Sequence, residues 1–270
     1  MNQEEVTSLQ EAREIIAGKM KFDDSGFRGK GFTSRSIEVP WAAAHIKKGD
    51  VLLDIGLSLG SPDCIGMLLE AKEKLGVTLE AADIIKPEKV KTRYPQEWLA
   101  SILEVPIMIG DVRTMQLPEE RYDVVTCIST IEHIGYDAPS KTVEGSAFER
   151  ARSEEEVNKA RDKNVNRDVL NSFHRALKKG GRALITVPMG KGGPIILRDS
   201  LGLYCAEWEY DEKSWNELVE DGRFTVVEKL FFKKMPEGWT KVASPKELID
   251  VSENMEATNF GLAMCVLEKK

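Results

Sequence analysis

In residues 51–60, VLLDIGLSLG, an apolar run ends at Asp54-Ile55, and Gly56, Ser58 and Gly60 follow at every second position. That spacing lets the backbone turn sharply and lets a ligand approach main-chain atoms that larger side chains would cover. A second apolar run ends on Asp83, with Glu80 as its rival acid; a carboxylate at such a strand end accepts hydrogen bonds from ribose hydroxyls in dinucleotide folds. Gly110-Asp111-Val112 follows a third run, and Ser129-Thr130-Ile131-Glu132-His133-Ile134 follows a fourth. Histidine titrates near neutrality, so His133 suits general-base work, or its segment simply packs and caps the turn. His45 and His174 sit in helix-like stretches and read as structural.

These residues need elements to place them. Val51–Ile55 reads as a buried strand; Ser61 as a helix cap, Pro62 at the first helical position and Ile65, Leu68 and Leu69 at helical spacing follow it. Strand, tight loop and helix form the first half of a nucleotide-binding βαβ unit. Further strands are expected at Val77–Asp83, Val105–Ile109, Tyr122–Ser129, Arg182–Val187, Phe224–Phe232 and Gly261–Leu267. Helices are expected at residues 3–18, at Lys89–Leu103 with a break at Pro95, at Val165–Leu177 and at Asp211–Glu220. Lys179-Gly180-Gly181 reads as a turn, Gly190–Pro194 as a flexible loop, and Ser244–Glu247 as a capping box on a short helix. Alternating β and α elements predict a parallel-rich sheet with helices on both faces.

Composition narrows the function classes. The chain has 270 residues, 41% hydrophobic and 31% charged, a balance that fills a core. No apolar run approaches the roughly 20 residues of a membrane helix. The start, MNQEEVTSLQEAREII, is acidic and is no secretory signal. Cys64, Cys127, Cys205 and Cys265 form no CxxC pair, which argues against a zinc ribbon and suits a cytoplasmic location. The net charge of -7 disfavours nucleic acid as a partner.

Residues 51–60 resemble the first motif of the class I S-adenosylmethionine-dependent methyltransferases, an apolar strand followed by acidic-x-Gly-x-Gly-x-Gly. Asp54, Gly56 and Gly60 match it, and Ser58 stands where the middle glycine usually is. Residues 109–125, IGDVRTMQLPEERYDVV, resemble the family's Gly-Asp stretch and fourth strand. Residues 129–134 resemble the Glu-His segment of its small-molecule members, not the Asn/Asp-Pro-Pro-Tyr signature of amino-nucleobase enzymes. LKKGGRALITVP, residues 177–188, is similar to the family's Gly-Gly turn and fifth strand; residues 210–232 match more loosely.

The resemblance implies a single Rossmann-like domain at 49–270 behind an N-terminal helical cap at 1–48. Its sheet would have seven strands, mostly parallel with an antiparallel last strand, and helices on both faces. It implies S-adenosylmethionine as cofactor, held by Asp54, Gly56, Ser58, Gly60, Asp83, Asp111, Val112 and Ser129. Asp111 would meet the adenine amino group, which suits a group that only accepts hydrogen bonds, and the Val112 backbone would meet the ring. His133 is the expected base, Glu132 and Trp41 the expected substrate contacts, and no metal is expected. Arg28, Phe32 and Arg35 belong to an N-terminal stretch that would cover the cofactor. The polar insertion at 138–163 reads as a lid, a homo-oligomer contact or a solvated excursion. The implied reaction is methyl transfer to a small molecule, with O-methylation of a sugar or natural product as the leading guess. RNA or protein methylation stays open, as does a non-catalytic cofactor-binding subunit, which Ser58 in the glycine loop keeps in play.

Overall fold

The computed structural model describes residues 3–25, 28–29, 33–135, 164–198, 204–249 and 261–270. The insertion at 138–163 and Phe27 and Phe32 lie outside them. The strands are β1 (Arg28–Gly29), β2 (Val51–Ile55), β3 (Thr78–Asp83), β4 (Ile107–Ile109), β5 (Tyr122–Ile128), β6 (Leu177–Met189), β7 (Gly193–Arg198), β8 (Tyr204–Glu209), β9 (Phe224–Met235), β10 (Gly238–Val242) and β11 (Gly261–Lys269). The helices are α1 (Gln3–Ile16), α2 (Arg35–His45), α3 (Pro62–Leu75), α4 (Leu99–Leu103), α5 (Val165–Ala176) and α6 (Glu212–Val219). No helix among the described residues is long and apolar enough to cross a membrane.

The main sheet runs β4-β3-β2-β5-β6-β11-β9-β10-β1. β4, β3, β2, β5 and β6 are mutually parallel, and β11 lies antiparallel between β6 and β9. β4 to β9 make the expected seven-stranded arrangement. β10 and β1 extend it to nine, because the chain turns back after Met235 and pairs Gly238 with that residue. The chain between the expected strands Phe224–Phe232 and Gly261–Leu267 therefore begins as a hairpin. β7 and β8 pair as a second, separate two-stranded sheet, so the loop expected over Gly190–Pro194 already enters a strand at Gly193.

Both faces of the sheet are apolar, as a parallel sheet between helical layers requires. Alternate residues feed two cores. Leu52, Val124, Leu184 and Met264 pack with α1, α2 and α3 on one side. Leu53, Val125, Ile185 and Cys265 pack with α5 and α6 on the other. In α5, Val165, Val169, Phe173 and Ala176 form the buried stripe.

The helix expected over Lys89–Leu103 is replaced by three 3-10 turns and the short α4. Tyr94, preceding Pro95, is extended at φ -95°, ψ 144°, because proline disfavours the α region for the residue before it. Ser61 occupies the cap position of α3, but its hydroxyl donates to Asp63 Oδ1 at 2.5 Å. Likewise Ser244 makes no side-chain cap; Glu247 instead accepts from the Ala243 N–H. The capping box lies at α6, where Asp211 and Ser214 satisfy each other's backbone N–H groups. β6 starts at once after α5, and Gly180, at φ 73°, takes the expected turn as the register shifts between Tyr122 and Val124.

Candidate functional site

One cleft opens at the carboxyl ends of β2, β3, β4 and β5, where open α/β sheets bind ligands. Asp54, Gly56, Gly60, Asp83, Asp111, Val112, Ser129 and His133 all line it. Gly56 sits at φ 93°, and a Cβ there would lie 2.8 Å from Thr130 Cγ2, so the loop closes on glycine.

Ser58 is elsewhere. It is fully buried and does not line the cleft. Its N–H donates to Asp83 Oδ2 at 2.8 Å, its hydroxyl to the Ile85 carbonyl at 2.8 Å, and its own carbonyl accepts from Tyr94 OH at 2.7 Å. The position needs a small residue with a hydroxyl, and that residue fastens the loop to the end of β3. The departure from glycine is thus a structural substitution, and Ser58 is corrected from ligand contact to loop anchor.

Asp83 also accepts from the Ile85 N–H at 3.1 Å. Burial raises its carboxyl above the ordinary value, while those backbone donors hold it down. Its rival Glu80 points into a different cluster, paired with Arg121 and accepting from Tyr122 OH at 2.8 Å. Asp111 is held by Arg113 on both carboxylate oxygens; burial opposes its charge, but Arg113 keeps it below the usual range. Asp123 accepts from the Val51 N–H at 2.9 Å, which supports the start of the strands.

Asp54 is 7% exposed and accepts from Thr126 Oγ1 at 2.5 Å. Burial pushes its carboxyl up to about 7; the Thr126 hydrogen bond opposes this and the nearby Asp83 charge adds to it. A cation in the cleft favours the carboxylate, so cationic ligands should bind more tightly as pH rises from 5.5 to 7, by up to about tenfold per unit, with proton release. Calorimetry of S-adenosylmethionine, a sulfonium cation, in two buffers of different ionisation heat measures that proton, and the uncharged thioether S-adenosylhomocysteine should release less of it. Asp54→Asn should flatten the profile. Without ligand the sign reverses: the folded state holds the proton more tightly than the unfolded chain, so the fold loses stability as pH rises through this range.

Arg35, on α2, reaches the cleft from above. Burial works against its charge, but Glu38, Cys64, Glu132 and Asp63 outweigh that and hold its pKa above the ordinary value. Its guanidinium meets Glu38 Oε2 at 2.7 Å. Glu38 is fully buried, and its other oxygen accepts from Ser129 Oγ at 2.7 Å and from Thr186 Oγ1. Ser129 has φ 41°, a strained value for a residue with a side chain, and this network together with the bond from its N–H to Thr186 Oγ1 holds it there.

A small second cavity adjoins the cleft, sharing Arg35, Ser129 and His133 with it and adding Glu132 and Glu207. Glu132 thus lies beside the cleft, not on its wall. His133 Nε2 stands 3.7 Å from Glu207 Oε2, an ion-pair distance and too long for a hydrogen bond. The Trp208 N–H donates to the Glu132 carbonyl at 2.9 Å, tying β8 to this turn.

Trp41 is corrected outright. It is fully buried beside β9 and donates to Glu228 Oε1 at 2.6 Å, which His45 also meets at 3.2 Å. His174 stacks edge-on against Phe224. Among the described residues no group of three or more His, Cys, Asp or Glu side chains is placed to hold a metal ion.

The sequence reading missed Glu38 and Glu207. Glu38 did carry a signal: it is a lone acid in the apolar run SIEVPWAAA, and a charge buried in such a run needs a partner.

No protein-family model and no curated protein matches the chain. Solved structures do. An S-adenosylmethionine-dependent methyltransferase from Methanosarcina mazei superposes with a TM-score of 0.54 at 13% identity, over 85% of this chain and 97% of that one. The [4+2]-cyclase SpnF superposes with a TM-score of 0.52 at 11% identity, over 98% of this chain and 94% of that one. At such identities the likeness is one of fold, and it agrees with the strand order and the antiparallel β11: the chain has the fold of the class I S-adenosylmethionine-dependent methyltransferases.

Proposed function

We propose that this chain is an S-adenosylmethionine-dependent methyltransferase acting on a small molecule. The observation that carries this is the cleft, which gathers seven of the eight residues assigned to cofactor binding at adjoining strand ends. Asp83 suits the ribose hydroxyls, Asp111 and Val112 the adenine, and Arg35 the methionyl carboxylate. Asp54 faces the cationic part. When bound, the cofactor supplies an electrophilic methyl group on a sulfonium.

The protein's own share is to align the acceptor and take up a proton. His133 borders both cleft and side cavity, with the Glu207 carboxylate behind it. His133→Ala is expected to lower turnover by roughly 10²–10⁴-fold while S-adenosylhomocysteine affinity stays within a few fold. Turnover near the wild-type rate would remove the base role. The expected hydroxyl acceptor is compatible with this lining, which offers hydrogen-bond acceptors to a donor group.

The fold also carries cyclase chemistry in SpnF, so the reaction needs a direct test. An isotopic methyl-transfer screen against small-molecule, RNA and protein fractions separates the acceptor classes. Calorimetry with S-adenosylmethionine and S-adenosylhomocysteine tests the cofactor; no binding of either would overturn the proposal.

A further inference from the structure

Asp111 and Arg113 are bonded more heavily than their turn requires. The Arg113 backbone N–H donates to Asp111 Oδ1 at 2.9 Å, and the N–H groups of Thr114 and Met115 donate to the Asp111 carbonyl at 3.0 and 2.8 Å. Those three bonds already close an Asx-type turn. The guanidinium is an addition: Arg113 Nε lies 3.0 Å from each carboxylate oxygen, and Nη2 lies 2.5 Å from Oδ2. A carboxylate has about four acceptor positions. Arg113 fills those of Oδ1, so room for a further donor remains on Oδ2, in a residue that lines the cleft. Asp54 and Asp111 are thus treated in opposite ways. Burial pushes Asp54 up to about 7, whereas at Asp111 the pairing with Arg113 overrides burial and keeps the carboxyl below the usual range.

We infer that Arg113 is a positioning residue that sets the base specificity of the cofactor site: it holds Asp111 as a charge-compensated acceptor, which selects a 6-amino purine over a 6-oxo purine. This role rests on the S-adenosylmethionine reading, in which Asp111 meets the adenine amino group. Adenine is neutral, so it gains little from a bare charge and needs an acceptor, which an Asp–Arg pair supplies. The amino group donates to Oδ2. In a 6-oxo base an oxygen takes its place, and two acceptors then face each other with no proton between them. A carboxyl group escapes that clash in two ways: it turns aside, or it takes up a proton and donates. The guanidinium fork blocks the first by bonding both oxygens, and its positive charge opposes the second.

The test uses the full chain with S-adenosylhomocysteine and S-inosylhomocysteine, which differ only in the 6-amino or 6-oxo group. Both are titrated calorimetrically at one pH, so that Asp54 counts equally in each. The parent should prefer the adenine ligand by at least about 100-fold, as sites built around a ligand N–H do. Arg113→Ala and Arg113→Gln should each shrink that ratio at least about tenfold, the worth of a charged hydrogen bond. A cooperative heat-unfolding transition is the evidence of folding, and if Arg113→Ala does not fold, Arg113→Gln carries the test. Arg113→Lys, which keeps the charge without the fork, should retain part of the ratio. A merely structural role lowers both affinities together, so an unchanged ratio in the folded variants overturns the inference. So does a parent that binds both ligands equally, although the cofactor reading then stands. A parent that binds neither ligand overturns the cofactor reading and the inference with it.

Discussion

Asp83→Ala should abolish measurable binding of S-adenosylhomocysteine, a loss of at least about 100-fold, and should also lower the melting temperature. The two effects share a cause. Asp83 faces the cleft, and the same carboxylate accepts from the N–H groups of Ser58 and Ile85. Removing it strands two buried donors, each worth about 1–3 kcal/mol when left unmet. Part of this is offset, because burial already disfavours the Asp83 charge. The larger consequence is geometric. Ser58 is bonded to Asp83, Ile85 and Tyr94, so the loop that carries Gly56 and Gly60 loses one of its ties to the end of β3 and is held by its remaining bonds to Ile85, Tyr94 and the Ala82 carbonyl. Asp83→Asn retains acceptor capacity on one oxygen and should fall between. Calorimetry and thermal unfolding check both, and an alanine variant with wild-type affinity would refute the anchor role.

Glu38→Ala should produce the greatest loss of stability among the site substitutions. Breaking a buried ion pair costs about 3–5 kcal/mol, because the partner charge stays behind. Arg35 is 27% exposed, so the lower end applies. Ser129 and Thr186 lose their shared acceptor as well. Ser129 then has no carboxylate to hold its positive φ, a conformation that costs about 1–3 kcal/mol. Denaturant unfolding gives the stability; Glu38→Gln, which keeps an acceptor but not the charge, should retain part of it. A Glu38→Ala protein as stable as the parent would show that the network is ornamental.

Much of this architecture was legible before any coordinates. Strands buried on both faces read as unbroken apolar runs, and Val51–Ile55 was placed to the residue. Asp54, Gly56, Gly60, Asp83 and Asp111, which line the cleft, could be singled out because each follows or ends such a run, so local sequence marks the place where the sheet presents them. What stayed hidden depends on distant pairing. Glu38 meets Ser129 and Thr186, partners far along the chain. Ser58 occupied a ligand-facing slot by spacing, yet 3-10 geometry over Leu57–Leu59 turns it toward Ile85. Trp41 looked available because it stood near the expected cofactor cover, whereas the contact that buries it comes from Glu228 on β9. The extra strands escaped for a simpler reason. Lys233 to Val242 alternates weakly and carries Pro236, which marks the hairpin turn between β9 and β10.

The antiparallel β11 has a consequence for how the molecule is assembled. It pairs with β6 along one side, from Met189 to Arg182, and with β9 along the other. Among the described strands, β9, β10 and β1 join the rest of the sheet only through it. Until β11 docks, both β6 and β9 present bare backbone edges that invite pairing with other chains. Sheet completion is then a late, long-range event, and such events are slow. The period of greatest aggregation risk falls during folding, before the last strand closes the gap. Once it has closed, the most hazardous edges of the molecule lie at the centre of its sheet.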